Sequence, residues 1–150
     1  MGMFDALDIS ATGLTAQRYR MDIISENVAN ANTTRTQNGG VYRRKVVTFE
    51  AEGNNNQSFS SVLGKSTSDL SNYIGDGVRI TSIQEDPSEL RKVYDPSHPD
   101  ADDSGYVYYP NVDIITEMTN LIDASRAFEA NATVIDATKG MMQQGLNISK

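Results

Sequence analysis

Cysteine and tryptophan are absent from this sequence, and histidine occurs once, as His98. Without cysteine there are no disulfides, no thiolate zinc sites and no cysteine nucleophile. The absence suits a protein that enters an oxidising space without mispairing, although it fixes no compartment. A single histidine cannot build a His-rich metal cluster. Hydrophobic residues are also scarce, at 38%. The globular norm is about 45–50%, counting Gly, so the core should be modest. Positive charge is in the minority: 13 Lys and Arg face 20 Asp and Glu, giving net charge -7 and a pI near 4.6. An acidic chain repels phosphate backbones and anionic lipid, which argues against nucleic-acid partners and membrane docking. No apolar run approaches the roughly 18 residues needed to span a bilayer. The start, Met1-Gly2-Met3-Phe4-Asp5, lacks a basic region, a continuous apolar stretch and a small-residue cleavage site. A cleaved secretory signal is therefore not expected, and Ala6 and Leu7 fail the myristoylation pattern.

The 150 residues allow one ordinary domain, or a small domain with helical arms. Over residues 3–30, Leu7, Leu14, Met21 and Val28 lie seven apart, and Met3, Ser10, Gln17 and Ile24 fill the alternate spacing. That 3–4 alternation is the seam pattern of a coiled coil. Polar Ser10 and Gln17 interrupt it, and Gly13, Ala11 and Ala16 add small residues. The helix should stop near Asn30-Ala31-Asn32. Residues 112–148 carry a stronger version. Ile114, Leu121, Phe128, Ile135 and Met142 are seven apart, with Met118, Ser125, Ala132, Lys139 and Leu146 between them. Asn111 and Asp113 are the candidate caps, and Glu117 adds negative charge near that end. Gly140 and Gly145 weaken the last turns by roughly 1 kcal/mol each relative to Ala.

The middle, residues 35–110, reads as strands and loops. Asn38-Gly39-Gly40 is a turn signal before the β-rich run Val41–Phe49. Asp76-Gly77 precedes Val78–Ile83, which alternates with period two, and Leu90–Tyr94 and Tyr106–Tyr109 are shorter strand candidates. Residues 51–75, rich in Asn, Ser and Gly, predict a loop with room for one short helix. The fold class expected is α+β: long N- and C-terminal helices with coiled-coil-like heptads flanking a small β-rich middle module. The divisions are 1–34, 35–110 and 111–150. Periodicity leaves two arrangements open, an intramolecular helical hairpin and arms whose seams meet neighbouring chains.

Residues with chemical capacity fall short of a catalytic constellation. Asp100, Asp102, Ser104 and Gly105 match positions 1, 3, 5 and 6 of a calcium loop, but position 12 is Asn111, where a bidentate Glu is required. A solvated acidic turn is the better reading. His98 lies between Pro96 and Pro99 and reads as a loop-shaping residue. Glu85 and Asp86 are adjacent, so on a strand they point to opposite faces and cannot flank one glycosidic bond. Arg43-Arg44-Lys45 is too small a basic cluster for nucleic acid and reads as subunit ion pairing or a solvated face. No cofactor and no small-molecule substrate are expected.

Three runs carry a resemblance. Ser25-Glu26-Asn27-Val28-Ala29-Asn30-Ala31-Asn32-Thr33 resembles the S-x-N-[LV]-A-N-x-x-T signature of bacterial flagellar rod and hook proteins. Its Asn residues suit a helix end, where they satisfy backbone groups. The run from Gly77-Val78-Arg79 through Glu85-Asp86 and Leu90-Arg91 to Val93–Ala101, then Gly105-Tyr106-Val107 and Tyr109–Val112, is similar to the proximal rod members of that family. The third is Ala124–Asn131 with Lys139, Met142 and Leu146-Asn147-Ile148; Phe128 stands where Tyr is commoner. The resemblance covers the chain except for the variable 51–75 stretch.

It implies a structural subunit of the basal-body rod, polymerising through its terminal helices into a torque-transmitting shaft. The helices would line the export channel, with the β-rich middle outside them. Partners would be copies of the chain, other rod proteins, the flagellar export apparatus and the membrane ring, reached by type III export without a cleaved signal and without membrane insertion. The assembly residues expected are Leu7, Leu14, Met21 and Val28, with Asn27 and Asn30, on the first helix. On the second they are Ile114, Met118, Leu121, Phe128, Ile135, Met142 and Leu146. The rival readings are another axial subunit and a type III-secreted helical-hairpin binding module.

Overall fold

A computed structural model describes residues 3–37, 39–52 and 77–148. Helix α1 spans Met3–Ala29, strands β1 Lys45–Glu52, β2 Gly77–Glu85, β3 Arg91–Tyr94 and β4 Tyr106–Tyr109 follow, and helix α2 spans Ile114–Ile148. The fold is α+β as expected, with the long helices at the two ends of the chain.

Local chemistry sets the helix ends. At the end of α1, the Asn30 side-chain amide donates to the Glu26 carbonyl at 2.9 Å, adding to the bond that carbonyl accepts from the Asn30 backbone amide at 3.1 Å. Asp113 caps α2: its carboxylate accepts from the Ile115 amide at 3.2 Å and the Thr116 hydroxyl at 2.7 Å. The Thr116 hydroxyl and the Ile115 amide hold the Asp113 carboxyl below its usual range. Asn111, the other candidate cap, is used elsewhere. Mid-helix hydroxyls bond back to carbonyls four residues earlier, as Ser10 does to Ala6 and Thr138 to Val134, both at 2.8 Å.

The two helices pack as an antiparallel pair, so the hairpin arrangement forms within one chain. Gly13 faces Asn131 so closely that a Cβ at Gly13 would lie 3.0 Å from the Asn131 side-chain nitrogen. Glu117, 1% exposed, meets Asn27 nearer the other end. Apart from Ile24, the stripe in the interface is small or polar: Ser10, Gly13, Gln17 and Asn27 on α1, and Glu117, Ala124, Asn131 and Thr138 on α2. Small residues let the backbones approach, and the larger apolar side chains settle beside the contact instead. Gln17 contributes a buried side-chain oxygen with no hydrogen-bond partner among the described residues.

Strands β1 and β2 form an antiparallel pair from Lys45↔Glu85 to Glu52↔Gly77, with a bulge between Thr48 and Phe49. This sheet lies on α1. Among the described elements, α2 packs mainly on α1, and its first turns share a cleft with β1, lined by Glu117 and Asn120 on one side and Lys45, Val47 and Phe49 on the other. The sheet is fastened at its far end by Thr12, whose hydroxyl oxygen accepts from the Val78 amide at 3.1 Å. Gly77 takes φ 121° there, and a Cβ would fall 2.3 Å from that hydroxyl, so only glycine suits the position. Strands β3 and β4 make a second ribbon, Arg91↔Tyr109 to Tyr94↔Tyr106, built over fully buried Val107.

Strand boundaries differ from the sequence reading, most at the two ends of β1. The run from Val41 becomes a strand only at Lys45, because the preceding backbone is held by loop and side-chain partners: the Tyr42 amide by the Thr33 carbonyl, the Arg44 amide by Asn111. Ala51 and Glu52, assigned to the loop, instead pair with Val78 and Gly77 in the sheet. The rest of that loop, 53–75, lies outside the described residues.

Candidate assembly site

The residues that hold the helix pair to the sheet converge on Asn27. Its side-chain oxygen accepts from the Lys45 amide and the Tyr42 hydroxyl, both at 2.9 Å. Its nitrogen donates to the Lys45 carbonyl at 2.9 Å and to Glu117 at 3.0 Å. A primary amide has two donors and a two-lone-pair acceptor, so this set fills its capacity. The other Glu117 oxygen accepts from the Arg44 Nε and Nη2 at 2.9 and 2.7 Å. Arg44 also reaches Asp86 at 3.5 Å, and its backbone amide donates to Asn111 at 2.9 Å. Asn111 closes the circuit by donating to the Asp86 carbonyl at 3.2 Å and the Ser88 hydroxyl at 2.7 Å.

Electrostatics follow from this packing. Burial, then the nearby carboxylates of Glu26, Glu117 and Glu85, push the Tyr42 hydroxyl up to about 12. Burial alone would lower the Arg44 guanidinium, but the bonds and charges of Glu117 and Asp86 outweigh it and hold it above its ordinary value. The Ser88 amide and hydroxyl, with Arg44, hold Asp86 below the usual carboxylate range. The charges of the basic cluster thus find intrachain partners: Arg44 with Glu117 and Asp86, Lys45 with Glu26. Arg43 donates to the carbonyls of Asp86 and Ser88, both at 3.4 Å. The expectation of ion pairing between subunits or a solvated face is corrected accordingly.

Other singled-out residues also have structural tasks. Asp102 accepts from the Ser104 and Tyr106 amides, both at 2.9 Å, and so folds the turn whose sequence partly matches a calcium loop. His98 accepts from the Asp100 amide at 3.1 Å and sets its ring edge-on to Tyr109. Among the described residues, no group of three or more His, Cys, Asp and Glu is arranged to hold a metal ion. No described helix is long and apolar enough to cross a membrane.

Comparison with known proteins decides the family. The chain is 46% identical to the flagellar basal-body rod protein FlgC of Borreliella burgdorferi, covering 99% of this chain and 98% of that one. It is 47% identical to FlgC of Bacillus subtilis, over the whole of both chains. The chain belongs to the FlgC family of flagellar rod proteins. FlgC of Salmonella typhimurium is 33% identical, again over both full lengths. Family models for the flagella basal body rod protein and for the flagellar basal body rod FlgEFG protein C-terminal match residues 7–36 and 103–148. The chain is a structural subunit of the basal-body rod.

For a FlgC-type subunit the two helices divide the expected assembly residues into three groups. Leu7, Leu14, Met21, Val28, Leu121, Phe128, Ile135 and Met142 are half-buried. The register set by Gly13–Asn131 and Asn27–Glu117 puts Leu14 within two residues of level with Phe128, and Met21 within two of Leu121, on the flank away from the sheet. Ile114, Met118 and Leu146 are exposed. Asn27 and Asn30 are turned inward on Glu117, Lys45 and the helix end. Sequence reasoning missed Tyr42, Arg44 and Glu117 as one unit, and missed exposed Ile115 and Ile122. A carboxylate at Glu117, in the same heptad phase as Ala124, was the available signal for a buried partner.

Proposed function

We propose that this FlgC-type chain polymerises through its helix pair into the torque-transmitting proximal rod, with residues 1–34 and 111–150 forming the tube layer and 35–110 the outer layer. The observation that supports this is the outward face of α2. Ile115, Met118 and Ile122 are 77%, 54% and 51% exposed on a helix whose main neighbour among the described elements is α1. An apolar face of that extent marks an interaction surface rather than a solvated one. The Asn27–Glu117–Arg44 junction complements it by tying the sheet to the helix pair, so a load on one layer passes to the other. Copies of this chain and other rod proteins are the partners at the helix pair, with the export apparatus and membrane ring at the base. The chain acts without catalysis, and leaves the cytoplasm by type III export without losing a leader.

The test is complementation of a strain that lacks the chain. Restored swimming, with the chain present at its full unprocessed mass in isolated basal bodies, is the expected result. A chain that remains soluble and monomeric while the strain swims without it would sink the proposal.

A further inference from the structure

We propose that the outward row Ile115, Met118 and Ile122 of one copy seats in the groove between α1 and β2 of a second copy of this chain, a contact that rests on the assembly reading above. The three side chains are spaced by three and four residues and form one row. Ile122 precedes Asn131, which faces Gly13, by nine residues, and at about 100° per residue this is two and a half turns. The row therefore points directly away from α1. On α1, Ala11, Thr15 and Tyr19 line an open groove of about 760 Å³ with Val78, Ile80 and Ile83 of β2. Thr15 lies two residues beyond Gly13, about 200° round the helix, so the groove opens on the side opposite α2.

Row and groove are thus on opposite sides of the same helix pair and cannot meet within one chain. Two complementary patches so placed give a head-to-tail contact that repeats without closing into a two-fold dimer. The groove floor is small, Thr12 and Ala16, with Ala11 and Thr15 exposed above it, and admits a helix closely. Its rim carries Asp8 and Arg79, and the row is flanked by Asp123 and Arg126, so each surface offers one charge of either sign to the other. Among the described residues, Asp8, Asp123 and Arg126 make no ion pair within the chain. The groove centre at Thr15 lies level with α2 residues about eleven positions beyond Met118, so copies pointing the same way are offset by roughly 16 Å along the helices. That offset suits a helical array of structural subunits.

The lack of native cysteine makes the contact testable by cross-linking. Thr15→Cys and Met118→Cys are placed singly and together in a strain with no other copy, and isolated basal bodies are oxidised. The double variant is expected to give a ladder of disulfide-linked oligomers, a mixture of the two single variants dimers only, and each single variant alone nothing. A single variant that links to itself overturns the proposal in favour of a two-fold contact. Basal bodies that contain the double variant and give no cross-link also overturn it. Ala11→Cys with Ile122→Cys serves if the first pair does not assemble, and is expected to give the same pattern. Absence of the unsubstituted chain from basal bodies is read separately: it sinks the assembly reading, and this contact with it.

Discussion

Asn27 and Glu117 stand 90 residues apart in sequence and 3.0 Å apart in the fold, and their bond joins the end of one terminal helix to the start of the other. Glu117 is 1% exposed, and its charge is balanced by Arg44, whose side chain is 26% exposed. Removing one partner of a buried pair leaves the other charge stranded, at a cost of roughly 3–5 kcal/mol. Arg44→Met should fall toward the lower end of that range, because water reaches Arg44. Glu117→Gln should cost less, since no buried charge remains. In the double variant the two losses should be far from additive, by about 1–3 kcal/mol in urea unfolding. Additive losses would mean that Arg44 and Glu117 do not stabilise each other.

Tyr42 gives the same junction a pH signature. Its hydroxyl titrates near 12 in the folded chain against 10.0 for a free tyrosine. Between those values the unfolded chain releases the proton first, so stability is full below pH 10 and falls as pH rises toward 12. After allowance for water at the mouth of the junction, the loss attributable to Tyr42 is on the order of 1–2 kcal/mol. The informative measurement is a comparison with Tyr42→Phe, which isolates this one hydroxyl. The variant should be less stable at neutral pH, where it lacks the hydrogen bond to Asn27, and should show a shallower decline above pH 10. Identical slopes for the two proteins would show that Tyr42 ionises freely.

Much of this architecture is legible in the sequence, and the part that is not has a physical reason. Helix ends at Asn30 and Asp113 are written locally, in side chains that bond to backbone two to four residues away. The strand run 78–83 and the pair 106–109 are likewise local patterns. The face each helix presents to the other is not local. A seven-residue repeat phases several stripes at once, and the stripe with the largest apolar side chains reads most strongly. The contact instead uses the stripe that permits close approach, chosen by Gly13 against Asn131 and by Asn27 against Glu117. Ile115 and Ile122 were overlooked for the same reason, since they belong to neither seam phase. Arg44 was legible as a charge, but its partners lie on segments that only the fold brings together.

The helix contact itself is open to improvement. Among the described residues nothing pairs with the buried Gln17 side-chain oxygen, and such a group costs about 1–3 kcal/mol. Gln17→Met keeps the length of the side chain and removes the polar group. It should raise the stability of the isolated chain by about 1 kcal/mol, a gain of the size cavity and polarity corrections usually give. Gly13→Leu should do the reverse, because Asn131 already occupies the space a side chain would need. A thermal melt of both variants beside the parent is sufficient. A stabilising Gly13→Leu would mean that the helices do not approach closely at Asn131.

The outward face of α2 separates folding from assembly more sharply than any buried position does. Ile115 and Ile122 are 77% and 51% exposed, so an aspartate at either position keeps its charge in water. Surface substitutions of this kind usually change stability by less than about 0.5 kcal/mol. The same charge placed in a subunit interface would be desolvated without a partner, at a cost of several kcal/mol against an apolar side chain worth only about 1.5–3 kcal/mol when buried. Ile115→Asp and Ile122→Asp should therefore leave the melting curve of the purified chain almost unchanged while removing the chain from basal bodies and abolishing swimming. Leu121→Asp and Phe128→Asp differ in kind: both residues are half-buried beside α1, so they should lower stability as well as assembly. The contrast is read by melting each purified variant and blotting isolated basal bodies at matched cellular levels. Normal swimming with Ile115→Asp and Ile122→Asp combined would mean that the face stays in solvent in the rod, and that subunits meet through the half-buried flank of Leu14 and Phe128 instead.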